Sequence, residues 1–125
     1  MSAYGRKTSK TSQGAIEIKM YIIIFVTASN RKEANKIAQR LLKNKLAACV
    51  NILDKIKSIF WWQGKIDQAD EVLLIIKSNR KKLPKIIKLI KSIHSYEVPE
   101  IIAVPIYDGY KPYLKWIDES LRQSS

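Results

Sequence analysis

The sequence predicts an α+β sandwich in the order strand, helix, strand, strand, helix, strand, with a short helix closing the chain. Three observations carry this. Two runs, YIIIFVTA at 21–28 and EVLLIIKS at 71–78, are apolar on both faces, the mark of strands buried on both sides. Each is followed by a segment with apolar residues at helical spacing. Between the first helical segment and the second run lie extended stretches broken by a turn signal, Gln63-Gly64-Lys65. This order is the ferredoxin-like βαββαβ arrangement, in which both helices cover one face of the sheet.

Each element has its own local reason. After the strand at 21–28, Asn30 precedes Glu33 by three positions, which suits an N-cap with a reciprocal acid. Ala34, Ile37, Ala38, Leu41 and Leu42 then form one apolar stripe, so 31 to about 44 is an amphipathic helix. Lys43 and Lys45 complement the negative end of its dipole. Residues 46–53 read as a second strand, and 55–62 either continue it or pair nearby. The strand at 71–78 leads to a helix carrying Leu83, Ile86, Ile87, Ile90 and Ile93. Pro84 is tolerated only in a first turn, which sets the start near Lys81. Residues 94–100 are a connector stopped by Pro99, and 101–106 are the last strand. Tyr113, Trp116, Ile117 and Leu121 predict the closing helix after Pro112.

Length and charge bound the rest. The chain has 125 residues, enough for one domain and one modest core. The polar stretch at 1–19 reads as a leader or a disordered extension, and 20–125 as the domain. Four of the 23 basic residues and one of the 11 acidic ones precede Met20, so the remainder carries a net +9 of the total +12. Such charge attracts polyanions but is not a site by itself. One cysteine excludes an internal disulfide and suits a reducing compartment. No apolar run reaches the roughly 20 residues of a membrane span. The expectation is a cytoplasmic protein with no membrane partner.

The predicted sheet has a problem with its second face. Both helices lie on one side, yet the strands are apolar on both. Burial of an Ile, Val or Leu contributes roughly 1.5–3 kcal/mol. The closing helix is too short to cover the whole second face, so self-association is the simplest solution.

Several side chains invite a chemical reading, each beside a plainer one. Cys49 and His94, with Glu97 or Glu100, are the soft-metal candidates. No CxxC, no HxxxH and no second His or Cys supports them, and Cys49 between Ala48 and Val50 also suits a small buried thiol. His94 follows a helix end, where a dipole role and a ligand role are both open. Glu71 and Lys77 bracket an apolar strand, either as solvated ends or as a pair at a cleft mouth. Trp61 and Trp62 point to opposite faces, one towards a core and one towards an interface. The basic run Arg80, Lys81, Lys82, Lys85, Lys88, Lys91 lies opposite an isoleucine stripe, as a solvated helix face does. A nucleic-acid module is disfavoured, because the strand at 71–78 lacks the aromatic residues on which bases stack. No Gly-rich phosphate loop is present, and no Ser-His-Asp or Cys-His-Asn set is recognisable, so no catalysis is expected.

Five blocks occur in order: Ala47-Ala48-Cys49-Val50-Asn51; Ser58 through Phe60-Trp61-Trp62-Gln63-Gly64-Lys65-Ile66; Glu71 to Lys77-Ser78; His94-Ser95-Tyr96-Glu97-Val98-Pro99-Glu100-Ile101; and Tyr113-Leu114-Lys115-Trp116. Together they closely resemble the CutA divalent-cation tolerance proteins, from Met20 to about Arg122. The resemblance implies a ferredoxin-like homotrimer with strands continuing across subunits, a role in tolerance of copper and other divalent metals, and no enzymatic activity. It implies inter-subunit clefts holding Trp62, Glu71, Lys77, Tyr96, Glu100 and Tyr113, with His94 and Cys49 as metal ligands for a weakly held Cu²⁺ or other divalent cation, or the whole set around a small polar ligand. The sequence departs from the family at Ser95, Phe60 and Ser78. Val26 and Ile93 stand where some bacterial members carry a further Cys and His, which leaves Cys49 and His94 as the soft ligands. The family trimer also resembles PII-type signalling proteins, so a regulatory trimer sensing a nucleotide or metabolite is the alternative reading.

Overall fold

Strand β1 (Tyr21–Ala28) runs through the middle of a four-stranded sheet of order β2-β3-β1-β4, with every neighbouring pair antiparallel. The computed structural model describes residues 20–122; the leader reading for 1–19 lies outside them. The elements follow as α1 (Arg31–Lys43), β2 (Cys49–Trp62), β3 (Lys65–Asn79), one 3-10 turn (Arg80–Lys82), α2 (Leu83–Ile93), β4 (Ile101–Pro105) and α3 (Lys111–Leu121). This is the expected α+β order.

The core lies between the sheet and α1 with α2. Alternate residues of β1 (Ile22, Ile24, Val26, Ala28) pair with Ser78, Ile76, Leu74 and Val72 of β3, and all are buried. Ala34, Ile37, Ala38 and Leu41 of α1, with Ile86 and Ile90 of α2, complete the cluster. Ser78 is the polar residue inside it, and its hydroxyl donates to the Leu46 carbonyl at 2.7 Å. A buried hydroxyl is tolerated only when bonded in this way.

Helix α1 starts as its sequence dictates, with one shift. The Asn30 side chain accepts from Glu33 N at 2.8 Å. Glu33 Oε1, however, accepts from the backbone N–H and hydroxyl of Ser29 at 2.9 and 3.0 Å, one residue before the cap. At the other end Lys45 is left-handed, with φ 57°. Its N–H bonds to Leu42 O, and Leu46 N–H bonds to Leu41 O. That pair of bonds is the Schellman C-cap.

The cap explains why β2 begins at Cys49 and not at Leu46, as expected. Leu46 is spent on closing the helix. Strand β2 then runs without interruption to Trp62, and β3 begins at Lys65, six residues before the expected Glu71. The extra length is a two-stranded ribbon, held by backbone pairing from Ile56↔Glu71 to Trp62↔Lys65. Its polar arm gives no alternation from which to read a strand. The ribbon closes at Gln63 (φ 50°) and Gly64 (φ 78°), both left-handed as a two-residue hairpin turn requires. Where it leaves the sheet, Asp54 and Lys55 of β2 together oppose Val72, a β-bulge with Lys55 at φ 61°. Asp54 is ion-paired with Arg31 at the start of α1.

Among the described residues, only part of the second sheet face is covered. Helix α3 packs Leu114, Ile117 and Leu121 on Tyr21 and Ala48, and the Tyr21 hydroxyl meets Asp118 at 2.6 Å. Leu53, Ile102 and Val104 stay exposed, and Phe25, Leu73 and Ile75 are half-buried. The expectation of a core role for one tryptophan fails within the chain. Trp61 and Trp62 are 71% and 60% exposed, because the ribbon tip extends beyond both helices.

Candidate functional site

Helix α2 ends at His94, whose N–H still bonds to Ile90 O at 2.9 Å. From there the connector folds back over the end of β1. The His94 side chain is fully buried. Its Nε2 lies 2.8 Å from the Thr27 carbonyl oxygen, which can only accept, so Nε2 carries the proton. Nδ1 therefore accepts, and it does so from Tyr96 N–H at 3.0 Å. Both ring nitrogens are engaged. A metal reaching His94 has to displace Tyr96 N–H from Nδ1.

Two carboxylates complete this cluster. Glu33 Oε2 accepts from Ser95 N–H at 2.6 Å and lies 3.9 Å from His94 Nδ1. Burial pushes the Glu33 carboxyl up, but the bonds donated by Ser29 and Ser95 outweigh it and hold the group below the usual range. On strand β3, the buried Glu71 accepts the Tyr96 hydroxyl at 2.6 Å. Burial, then the Glu71 bond and charge, then the Glu33 charge, push the Tyr96 hydroxyl up to about 12. The His94 and Tyr96 rings stack at 4.8 Å with a 50° tilt. Glu100 stands exposed at the same end, next to Ile101, which pairs with Val26.

A second group lies at the opposite end of β3. Cys49 and Lys77 are cross-strand partners on the second sheet face, beside α3. The Lys77 ammonium donates to Asn51 Oδ1. Tyr113 of α3 reaches Cys49; burial first, then the neighbouring thiol, raises the Tyr113 hydroxyl. The Tyr113 and Trp116 rings lie 5.4 Å apart.

The expected site residues thus fall into two half-sites and an outlier. His94, Tyr96, Glu71 and Glu100 share one end; Cys49, Lys77 and Tyr113 share the other; Trp62 is at the ribbon tip. Glu71 and Lys77 are six strand residues apart, roughly 20 Å. Cys49 and His94 do not meet within the chain, and among the described residues no three of His, Cys, Asp and Glu are grouped as a metal would require. Glu33 and the Thr27 carbonyl belong to the cluster although the sequence did not single them out as site groups. Glu33 was legible only as a helix-capping acid, and a backbone carbonyl carries no residue signal.

The CutA1 divalent ion tolerance protein family model matches residues 22–120. A divalent-cation tolerance protein CutA from Archaeoglobus fulgidus is 48% identical over 102 residues, covering 82% of this chain and 99% of that protein. The human Protein CutA is 44% identical over 93 residues, covering 74% of this chain but 52% of its own length. This chain therefore spans nearly all of the archaeal relative and about half of the human one. Among solved structures, that of the periplasmic divalent cation tolerance protein CutA from Archaeoglobus fulgidus superposes with a TM-score of 0.80, covering 82% of this chain and all of that one. CutA1 from Oryza sativa does so with a TM-score of 0.80 at 41% identity, covering 84% and 96%. Sequence, fold and the matched span agree: the chain belongs to the CutA1 divalent ion tolerance protein family.

Proposed function

We propose that this chain acts in divalent-cation tolerance or response, copper foremost, as a cytoplasmic homotrimer that binds a metal ion or small polar ligand at inter-subunit clefts and catalyses no reaction. One observation carries the reading. The two half-sites stand roughly 20 Å apart on a sheet face that a single chain leaves partly apolar and uncovered. Packing that face against other copies gives the exposed Leu53, Ile102 and Val104 a partner. It also allows the Cys49, Lys77 and Tyr113 group of one subunit to face the Glu71, Tyr96 and Glu100 group of the next. An acid, an ammonium, a thiol and phenols suit a small polar ligand or a weakly held cation. The Cys49 thiol and the exposed Glu100 carboxylate are the accessible metal donors; Glu71 joins them only if it gives up the Tyr96 hydroxyl, and His94 only if Tyr96 N–H gives up Nδ1. The single cysteine, kept as a thiol, suits the cytoplasm.

Light scattering combined with Cu²⁺ titration tests this. The expected result is the mass of three chains, with Cu²⁺ affinity lowered by Cys49→Ala and less so by His94→Ala. A monomer at micromolar concentration refutes the assembly. Unchanged Cu²⁺ affinity in both variants refutes the metal ligands.

A further inference from the structure

A cleft of about 460 Å³ opens between the 3-10 turn and the C-terminal end of α3. It shares no lining residue with either half-site. Its walls are Asn79, Arg80, Lys81, Lys82, Pro84 and Met20 on one side, and Asp118, Leu121 and Arg122 on the other. Four cations thus face one acid, and Asp118 is bonded to the Tyr21 hydroxyl.

The cations have different tasks. Lys82 Nζ donates to the Leu121 carbonyl at 3.1 Å. It thereby satisfies one of the carbonyls left open at the end of α3 and fixes the two walls relative to each other. Burial, then the charge of Lys85, holds the Lys82 ammonium below its ordinary value. The guanidinium groups of Arg80 and Arg122 have no hydrogen-bond or ion-pair partner among the described residues. Guanidinium is the side chain whose planar fork matches a phosphoryl group bidentately. Met20, Pro84 and Leu121 supply an apolar floor beside the charges, and the volume falls in the range of small-molecule sites, about 300–1,000 Å³.

We infer that this cleft binds a small phosphate-bearing molecule, its phosphoryl group gripped by Arg80 and Arg122 and its body lying on Met20, Pro84 and Leu121. The inference goes beyond the cation-tolerance role and does not depend on it.

Isothermal titration of the full chain with inorganic phosphate, adenosine monophosphate and adenosine, at low ionic strength, tests the cleft. The comparison is between wild type, Arg80→Ala/Arg122→Ala, and a charge-matched control, Lys36→Ala/Arg40→Ala, on the exposed face of α1. Saturable binding of adenosine monophosphate is expected, weakened about tenfold or more by the cleft variant and less than about twofold by the control. Phosphate binding as tight as the nucleotide's supports recognition by the arginines alone; tighter nucleotide binding supports a contribution from the floor. The inference is overturned if wild type binds neither phosphate nor the nucleotide, if adenosine binds as well as the nucleotide, if the cleft variant binds like wild type, or if both variants lose affinity equally.

Discussion

The Tyr96 hydroxyl and the Glu71 carboxylate meet at 2.6 Å, and this bond ties the α2–β4 connector to the point where β3 leaves the sheet for the ribbon. It joins two segments 25 residues apart. Tyr96→Phe leaves a buried carboxylate short of a donor, a loss of about 1–3 kcal/mol for a charge-assisted bond. Urea denaturation at neutral pH measures it. The sign of the pH effect follows from the raised folded value. The unfolded phenol titrates near 10.0 and the folded one near 12, so the stabilisation is complete below the first value and disappears as pH rises towards the second. Tyr96→Phe is expected to flatten the alkaline fall in stability.

Glu33 has the opposite sign. Its carboxyl is held below the ordinary 4.5, so its contribution is present above that value and is lost as pH falls through the lower folded one. Glu33→Gln is expected to destabilise by about 1 kcal/mol at neutral pH and by less in acid, as the wild type loses the same contribution. Thermal melts across the acid range check the convergence.

Lys45 occupies the left-handed position of the α1 Schellman cap, where a side chain costs about 1 kcal/mol relative to glycine. Lys45→Gly is therefore expected to stabilise by up to about 1 kcal/mol, read as a raised melting temperature. An unchanged or lowered value would mean that the lysine stem makes a contact worth as much as the strain.

The ribbon tip separates folding from assembly. Both tryptophans are exposed in the single chain, so Trp61→Ser/Trp62→Ser is expected to keep the circular dichroism spectrum and monomer stability within about 0.5 kcal/mol. Tryptophans are frequent interface anchors, and their loss is expected to weaken association about tenfold or more. Sedimentation equilibrium reads the second effect independently of the first. Unaltered association would remove the tip from the proposed interface.

Much of the fold was legible because its signals are local. The double-faced apolar run of β1, the stripe of α1 and the position of Pro84 each specify an element without reference to the rest. The ribbon was half legible: its turn at Gln63-Gly64-Lys65 and its first arm as a continuation of the second strand could be read, but Asp67, Gln68 and Asp70 form strand only because β2 lies opposite them. The candidate cluster was legible only in part. Residue type drew attention to Glu71 and His94 and the family resemblance to Tyr96, but neither showed that His94 spends both nitrogens on the backbone. That depends on Thr27 and Tyr96 arriving together, which is a fact of topology. The division of the candidate residues into two half-sites follows from register alone and has no counterpart in sequence spacing.

The bulge at Asp54 and Lys55 decides which tryptophan looks which way. Counting by twos from Cys49 along β2 assigns Trp61 to the face of Cys49 and sends Trp62 to the other. One surplus residue reverses the count. Beyond it, Ile56, Ser58, Phe60 and Trp62 stand opposite Glu71, Ala69, Asp67 and Lys65. Those β3 residues share parity with Lys77, and so with Cys49. The bulge thus works as a change of phase: it delivers Trp62 to the side of the sheet that carries both half-sites, and turns Trp61, with Ile59 and Ile66, to the reverse side. A single left-handed lysine, silent in any hydrophobic pattern, sets the polarity of the whole ribbon.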